Sequence, residues 1–345
     1  MSASITGVPR EPRLTALRYW VSEHRVPVIG WSTIVVLIVG ALIAWQAGAV
    51  NPSYIAQPPT SFGTEGANLV EKGGIGDDVE VGAVGSIDDE TRTYIVRAKD
   101  AKGPQPAVIF LHGFGSSIIA GYEPWLEHLA KSGVTVIFPS WQQPPFPVDG
   151  SQNPRTNMFR GVELAAKAVP IDWSKTAAVG LSAGGALAFD YAALAKKLDV
   201  PKAKLVLAIY PGRAFPGQRD PILPLPPLDD FPSGAHVVTM VSPKDREVGT
   251  RWGTEQDAAL AARPDVSHEL ITVKTPGLGD HYAPGDTDAK ARRVFWKRLD
   301  NLLTTELGAK LVLDTDLRES IRADRKVKKN LREQSMFKKA PADEQ

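Results

Sequence analysis

The chain has 345 residues, 43% of them hydrophobic, which is enough for one large domain or two small ones around a packed core. Its 40 lysines and arginines nearly cancel 39 aspartates and glutamates, leaving a formal charge of +1, so no overall field draws it to nucleic acid or another polyanion. Cysteine is absent, which excludes disulfides, thiolate metal sites and cysteine nucleophiles and leaves the redox compartment open.

Residues 1–27 form a polar head. From Val28 to Val50 runs VIGWSTIVVLIVGALIAWQAGAV, uncharged and, at roughly 20 residues or more, long enough to cross a hydrocarbon core of about 30 Å as a helix. Trp31 and Trp45 stand near its ends, where an apolar ring bearing one N–H favours the headgroup level. Arg10, Arg13, Arg18 and Arg25 precede the run against Glu11 and Glu23, whereas the first charge beyond it is Glu65. The positive-inside tendency therefore puts the N-terminus in the cytoplasm and the rest of the chain outside, tethered to the cell membrane by a single transmembrane helix. The competing reading is a cleaved secretory signal, since Ala47-Gly48-Ala49 has the small-x-small form. Signal cores span about 7–15 apolar residues, however, and this run is longer and follows an unusually long polar head.

Residues 51–76 turn to Pro, Gly, Ser and Thr without an apolar face, as in a linker. The alternating DVEVGAV and TRTYIVRA, parted by a polar SIDDE turn, predict an antiparallel pair at a sheet edge. Six short apolar runs follow: 107–112, 134–139, 176–181, 204–210, 236–241 and 268–273. They read as strands buried on both faces. Helical spacing occupies 119–132, 156–169, 183–198, 251–262 and 286–307. Strand alternating with helix predicts an α/β domain over 77–308, a mostly parallel central sheet flanked by helices on both sides. The exception is 211–232, whose seven prolines rule out a long helix and predict an irregular excursion. A charged tail closes the chain at 309–345. From Arg318 to Lys339 nine basic residues outnumber three acidic ones, and the reading adopted is a solvated end, with contact to anionic lipid as the alternative.

The strongest local signal is Gly180-Leu181-Ser182-Ala183-Gly184, directly after the expected strand TAAVGL and directly before the helical run AGGALAFDYAALAKKL. A serine on a sharp strand-to-helix turn exposes its hydroxyl, and small neighbours let backbone segments pass without collision. The helix N-terminus behind it aims partial positive charge at a developing oxyanion.

With HGFGSS at 112–117, GLSAGG at 180–185, KDREVG at 244–249 and GDHYAP at 280–285, residues 77 to 308 resemble the α/β-hydrolase superfamily. The resemblance implies a catalytic triad in the chain order nucleophile, acid, histidine, with Ser182 as nucleophile. Of six histidines, His24 precedes the apolar span, His112 abuts the oxyanion loop, His128 lies in a helical run, and His236 and His268 sit at strand starts. Only His281 follows the last strand, in the loop where such hydrolases place the general base. Asp245, after the run HVVTMV, occupies the place of the orienting acid, with Glu247 as its local rival. Asp220 lies far along the preceding loop, and Asp280 is too close in sequence to face its neighbour's ring productively. The oxyanion hole implied by the family takes one N–H from Ala183 and a second from the loop after AVIFLH, assigned to Phe114. The motif departs from the HGGG form of some esterases, so His112 is read as a loop-stabilising residue. Ser116 and Ser117 are read as caps of the following helix.

Trp141, Pro144, Pro145, Phe146, Tyr122 and the proline-rich segment are the expected pocket lining. Their apolar character favours an acyl or aromatic ester, small or lipid-like, over a sugar or phosphate. The expectation is a membrane-anchored serine hydrolase cleaving carboxylic esters through an acyl-enzyme, with neither cofactor nor metal. Amide hydrolysis or acyl transfer by the same machinery is one alternative. A noncatalytic binding module that kept the fold is another, and such a module would usually lack a triad member.

Overall fold

The computed structural model describes residue 76 and residues 78–86, 91–143, 153–215 and 218–312. The expected transmembrane span at 28–50, the linker short of its last residue and the tail beyond 312 lie outside the described residues, as do Pro144, Pro145 and Phe146.

Strands β1 (Val79–Val84) and β2 (Thr93–Ala98) pair antiparallel, Val79 opposite Ala98 and Val84 opposite Thr93. β2 then runs antiparallel to β4 (Thr135–Pro139). Every further pairing is parallel: β4 with β3 (Gln105–Leu111), β3 with β5 (Ile171–Leu181), then β6 (Leu205–Ile209), β7 (His236–Val241) and β8 (Ser267–Thr272) in turn. Among the described residues the sheet order is β1-β2-β4-β3-β5-β6-β7-β8, with the edge hairpin and the six apolar runs in strands as expected.

Alternate side chains of one strand point to opposite faces, and here both faces are covered. Val108, Phe110, Val136, Phe138 and Val179 join one apolar cluster; Ile109, Leu111, Ile137 and Ala178 join the other. Burying each such side chain fully stabilises the fold by about 1.5–3 kcal/mol, alanine less. Helix α1 (Glu123–Lys131) contributes Trp125, Leu126 and Leu129 to the first cluster, where Trp125 stacks on Trp296 at 5.7 Å. Helices α2 (Pro154–Ala168) and α3 (Ala183–Leu194) fill the second. Helix α4 (Arg251–Ala259) follows β7, and α5 (Lys297–Thr305) closes the described chain.

The helix boundaries depart from the periodicity by a few residues, most clearly at three places. α1 starts at Glu123 rather than 119, because Gly121 has φ +85° and Pro124 falls in the first turn, where its missing N–H costs nothing. α3 ends at Leu194 rather than 198, shortly before Asp199 turns to φ 52°. The run 286–307 is helical from Ala289 but carries a wider π turn over Arg292–Trp296 before α5.

Candidate active site

β5 ends at Leu181 and α3 begins at Ala183, so Ser182 is the whole turn between them. Its backbone has φ 57° and ψ −126°, a conformation that costs a non-glycine residue on the order of 1–3 kcal/mol unless its surroundings enforce it. The surroundings do so. Ser182 N–H donates to the Ile209 carbonyl at 3.0 Å, and the Ser182 carbonyl accepts from Gly212 and Gly185 N–H, each at 2.9 Å. The flanking glycines are required by close approach: a Cβ on Gly180 would stand 2.1 Å from the Gly184 carbonyl oxygen, and one on Gly184 would stand 2.0 Å from that of Leu111.

His281 arrives on the loop after β8 and meets the serine. Its Nε2 lies 2.9 Å from Ser182 Oγ, and its Nδ1 lies 2.7 Å from Asp245 Oδ2. A carboxylate can only accept, so Nδ1 carries the ring proton and Nε2 presents a lone pair to the hydroxyl. Asp245 follows β7 and is wholly buried at its side chain. Its other oxygen, Oδ1, accepts from the N–H groups of Glu247 at 2.9 Å and Val248 at 3.1 Å. Glu247, the local rival, thus helps to hold Asp245 through its backbone. Asp280 Oδ1 caps its own loop by accepting from Tyr282 N–H at 3.1 Å. Ala183 opens α3, where a backbone N–H has no intrahelical acceptor.

Among the described residues, the remaining histidines are engaged elsewhere. His128 Nε2 contacts both oxygens of Asp300, at 3.1 and 3.0 Å, linking α1 to α5. His268 Nδ1 lies 2.9 Å from Asp257, and His236 Nδ1 lies 3.4 Å from Glu306. His112 is fully buried, its ring stacked on Trp141 at 4.6 Å and its Nδ1 2.8 Å from the Gly113 carbonyl. Burial pushes its pKa down to about 4, so the ring is neutral near pH 7 and acts as loop structure.

The expectations for Trp141 and for the two serine caps need correction, whereas Tyr122 stays half-buried beside the site. Trp141 is 1% exposed and lines no open surface, because its ring is trapped against His112. Tyr122 turns its hydroxyl to Gly113 N–H at 3.0 Å. Neither serine caps α1: Ser116 Oγ donates to the Ile118 carbonyl at 3.3 Å, and α1 has Tyr122 at its cap without a side-chain bond. Among the described residues, exposed apolar side chains beside the site include Phe114, in edge-to-face contact with Phe215 of the proline-rich segment at 4.5 Å, and Tyr282, whose ring meets that of His281 edge-on at 5.4 Å.

Sequence spacing also missed Tyr210. It stands directly after β6 at φ 47° and donates its hydroxyl to the Leu278 carbonyl, fastening the loop that carries His281. Burial, with the nearby charges of Asp245 and Asp280 adding to it, pushes the phenol pKa well above its ordinary value and keeps that donor protonated. A tyrosine at the end of a buried strand reads as core, and only its hydroxyl's partner distinguishes it.

No family model matches the sequence, and no curated protein does. Among solved structures, a mutant of the esterase E40 superposes with a TM-score of 0.50 at 17% identity, covering 68% of this chain and 86% of that one. The α/β-hydrolase fold is therefore shared. A Klebsiella pneumoniae protein assigned as a dienelactone hydrolase gives a TM-score of 0.48 at 19% identity, over 66% of this chain and 99% of the other. An esterase of Pyrobaculum calidifontis gives 0.47 at 17% identity, over 66% and 86%. At these identities the likeness is one of fold.

Proposed function

We propose that the protein is a serine hydrolase that cleaves carboxylic esters through an acyl-enzyme, with Ser182 as nucleophile, His281 as general base and Asp245 as its orienting acid. The single observation that carries the reading is the continuous hydrogen-bonded line from Ser182 Oγ through both nitrogens of His281 to Asp245 Oδ2, at 2.9 and 2.7 Å. Such a line on a strained elbow matches the geometry of an activated serine.

In the first half-reaction the Ser182 oxygen attacks the ester carbonyl carbon as its proton passes to His281 Nε2. The carbonyl oxygen becomes an oxyanion, received by the N–H groups of Ala183 and Phe114 at the positive end of α3. Collapse breaks the bond to the alcohol oxygen, which takes the proton from His281. Water then attacks the acyl-serine with His281 again as base, releasing the acid and restoring the serine. Asp245 holds the ring in the Nδ1–H tautomer and stabilises the imidazolium in both halves. The exposed rings of Phe114 and Tyr282 beside this site favour an apolar acyl or aromatic ester.

The apolar run at 28–50 supports a further part of the reading, that the enzyme is held at a membrane with the hydrolase domain on the extracytoplasmic side. Hydrolysis of p-nitrophenyl butyrate by the full chain, abolished in Ser182→Ala, tests the activity; hydrolysis surviving that change means a different nucleophile. Retention in the membrane pellet after a carbonate wash tests the anchor. A soluble mature protein lacking its first ~50 residues means signal cleavage instead.

A further inference from the structure

The two amides that flank Phe114 are both committed to side chains, one half-buried and one buried. Gly113 N–H donates to the Tyr122 hydroxyl at 3.0 Å, and Gly115 N–H donates to Gln142 Oε1 at 3.3 Å. Gln142 is the third of three consecutive residues after β4 that run alongside the 112–117 loop, each with its own bond to it. Ser140 Oγ donates to the Ser117 carbonyl, and Trp141 Nε1 donates to the His112 carbonyl at 3.1 Å. All three are buried, at 1%, 1% and 3% exposure. They are themselves anchored: Ser140 N–H donates to the Arg92 carbonyl at 2.8 Å, and Asn157 of α2 donates to the Trp141 carbonyl at 3.3 Å.

The loop held this way is the wall against the nucleophile. A Cβ on Gly113 would stand 3.5 Å from Ser182 Cβ and 3.8 Å from the Tyr122 hydroxyl. Gly113 has no side chain to pack, so these bonds help to fix the loop's backbone. Four residues with no place in the triad (Tyr122, Ser140, Trp141 and Gln142) thus converge on one short segment, with Asn157 holding Trp141 from behind.

We propose that Tyr122 and the Ser140–Trp141–Gln142 splint are positioning residues: they lock the 112–117 backbone against Ser182, and with it the main-chain donor that the loop offers the oxyanion. This inference rests on the hydrolase reading above. Donors set in place before the reaction stabilise charge that develops only in the transition state, so freeing the loop weakens that stabilisation and leaves ground-state binding nearly intact. Serine in an adduct with a boronic acid bears a tetrahedral, negatively charged centre, which makes such an adduct a measure of the same effect.

The test compares the parent chain with Tyr122→Phe and Gln142→Met, which keep side-chain volume and remove the acceptor. Each variant should lower kcat for p-nitrophenyl butyrate about 10- to 100-fold with KM within about twofold, and phenylboronic acid inhibition should weaken in step with kcat. An unchanged kcat in both variants overturns the inference. So does a loss of kcat with undiminished boronic acid affinity, since that separates the bonds from the oxyanion. Should Gln142→Met fail to fold, Tyr122→Phe alone decides by the same criteria. A parent chain that hydrolyses no ester and forms no boronic acid adduct overturns the hydrolase reading itself, a result distinct from active variants matching an active parent.

Discussion

Arg213 Nη2 donates to Asp190 Oδ1 at 2.9 Å with both side chains almost completely buried. This pair joins α3, the helix that starts at the candidate nucleophile, to the loop that leaves β6. Arg155 of α2 reaches the other oxygen of Asp190 at 2.7 Å. Arg213 also donates to the Leu223 carbonyl at 3.0 Å, while its own carbonyl accepts from Ile222 and Leu223 N–H at 2.7 and 3.0 Å. The proline-rich excursion is therefore irregular but pinned.

Removing one member of a buried ion pair leaves the other charge without a partner in a low-dielectric interior, at a cost of about 3–5 kcal/mol. Asp190→Ala is expected to lose stability of that order, read as a lower midpoint in urea denaturation of the protein. A loss below about 1 kcal/mol would mean that water replaces the carboxylate around Arg213.

His112 gives a pH signature in stability. Burial lowers its pKa from the ordinary 6.5 to about 4, so below pH 6.5 the unfolded chain binds a proton that the folded chain refuses. Its stabilising contribution is complete above pH 6.5 and declines as the pH falls toward about 4, by up to about 3 kcal/mol. His112→Phe keeps a ring against Trp141 and removes the titration, so its stability should fall less steeply across that window. Parallel slopes for the two proteins would assign the pH dependence to other groups.

How much of this was readable beforehand follows from what each feature demands of a sequence. The elbow demands glycines at fixed places, and the triad demands a chain order, so Ser182, Asp245 and His281 stood out before any coordinates. Central strands demand unbroken apolar runs, and those were visible too. The apolar run marks β5 only from 176, because Ile171–Lys175 mixes polar with apolar residues, although in the structure Ile171 already pairs with Gln105 across an irregular register. The splint at 140–142 and the Asp190–Arg213 pair rest on single polar side chains whose partners lie far along the chain. No period or motif marks them, and Trp141 looked like pocket lining because an aromatic in a loop carries no sign of which way it faces.

Asp245 makes a prediction about tautomers. Its Oδ1 is occupied by two backbone N–H groups and its Oδ2 by the imidazole. In Asp245→Asn an amide nitrogen facing Nδ1 would favour proton placement on Nε2, and the ring could no longer accept from Ser182. A fall in kcat of about 10³- to 10⁴-fold at neutral pH is expected, with the fold intact by circular dichroism. A decrease of less than about tenfold would remove Asp245 from the catalytic line and direct attention to Glu247.

The central claim is that the hydroxyl at the elbow is the reacting atom, and covalent capture tests it most directly. The full-length protein, treated with a fluorophosphonate probe and mapped by peptide mass spectrometry, should carry one label on Ser182. Ser182→Ala should carry none, and His281→Ala should label far more slowly. Labelling that persists in Ser182→Ala, or that maps to any other residue, would contradict the account.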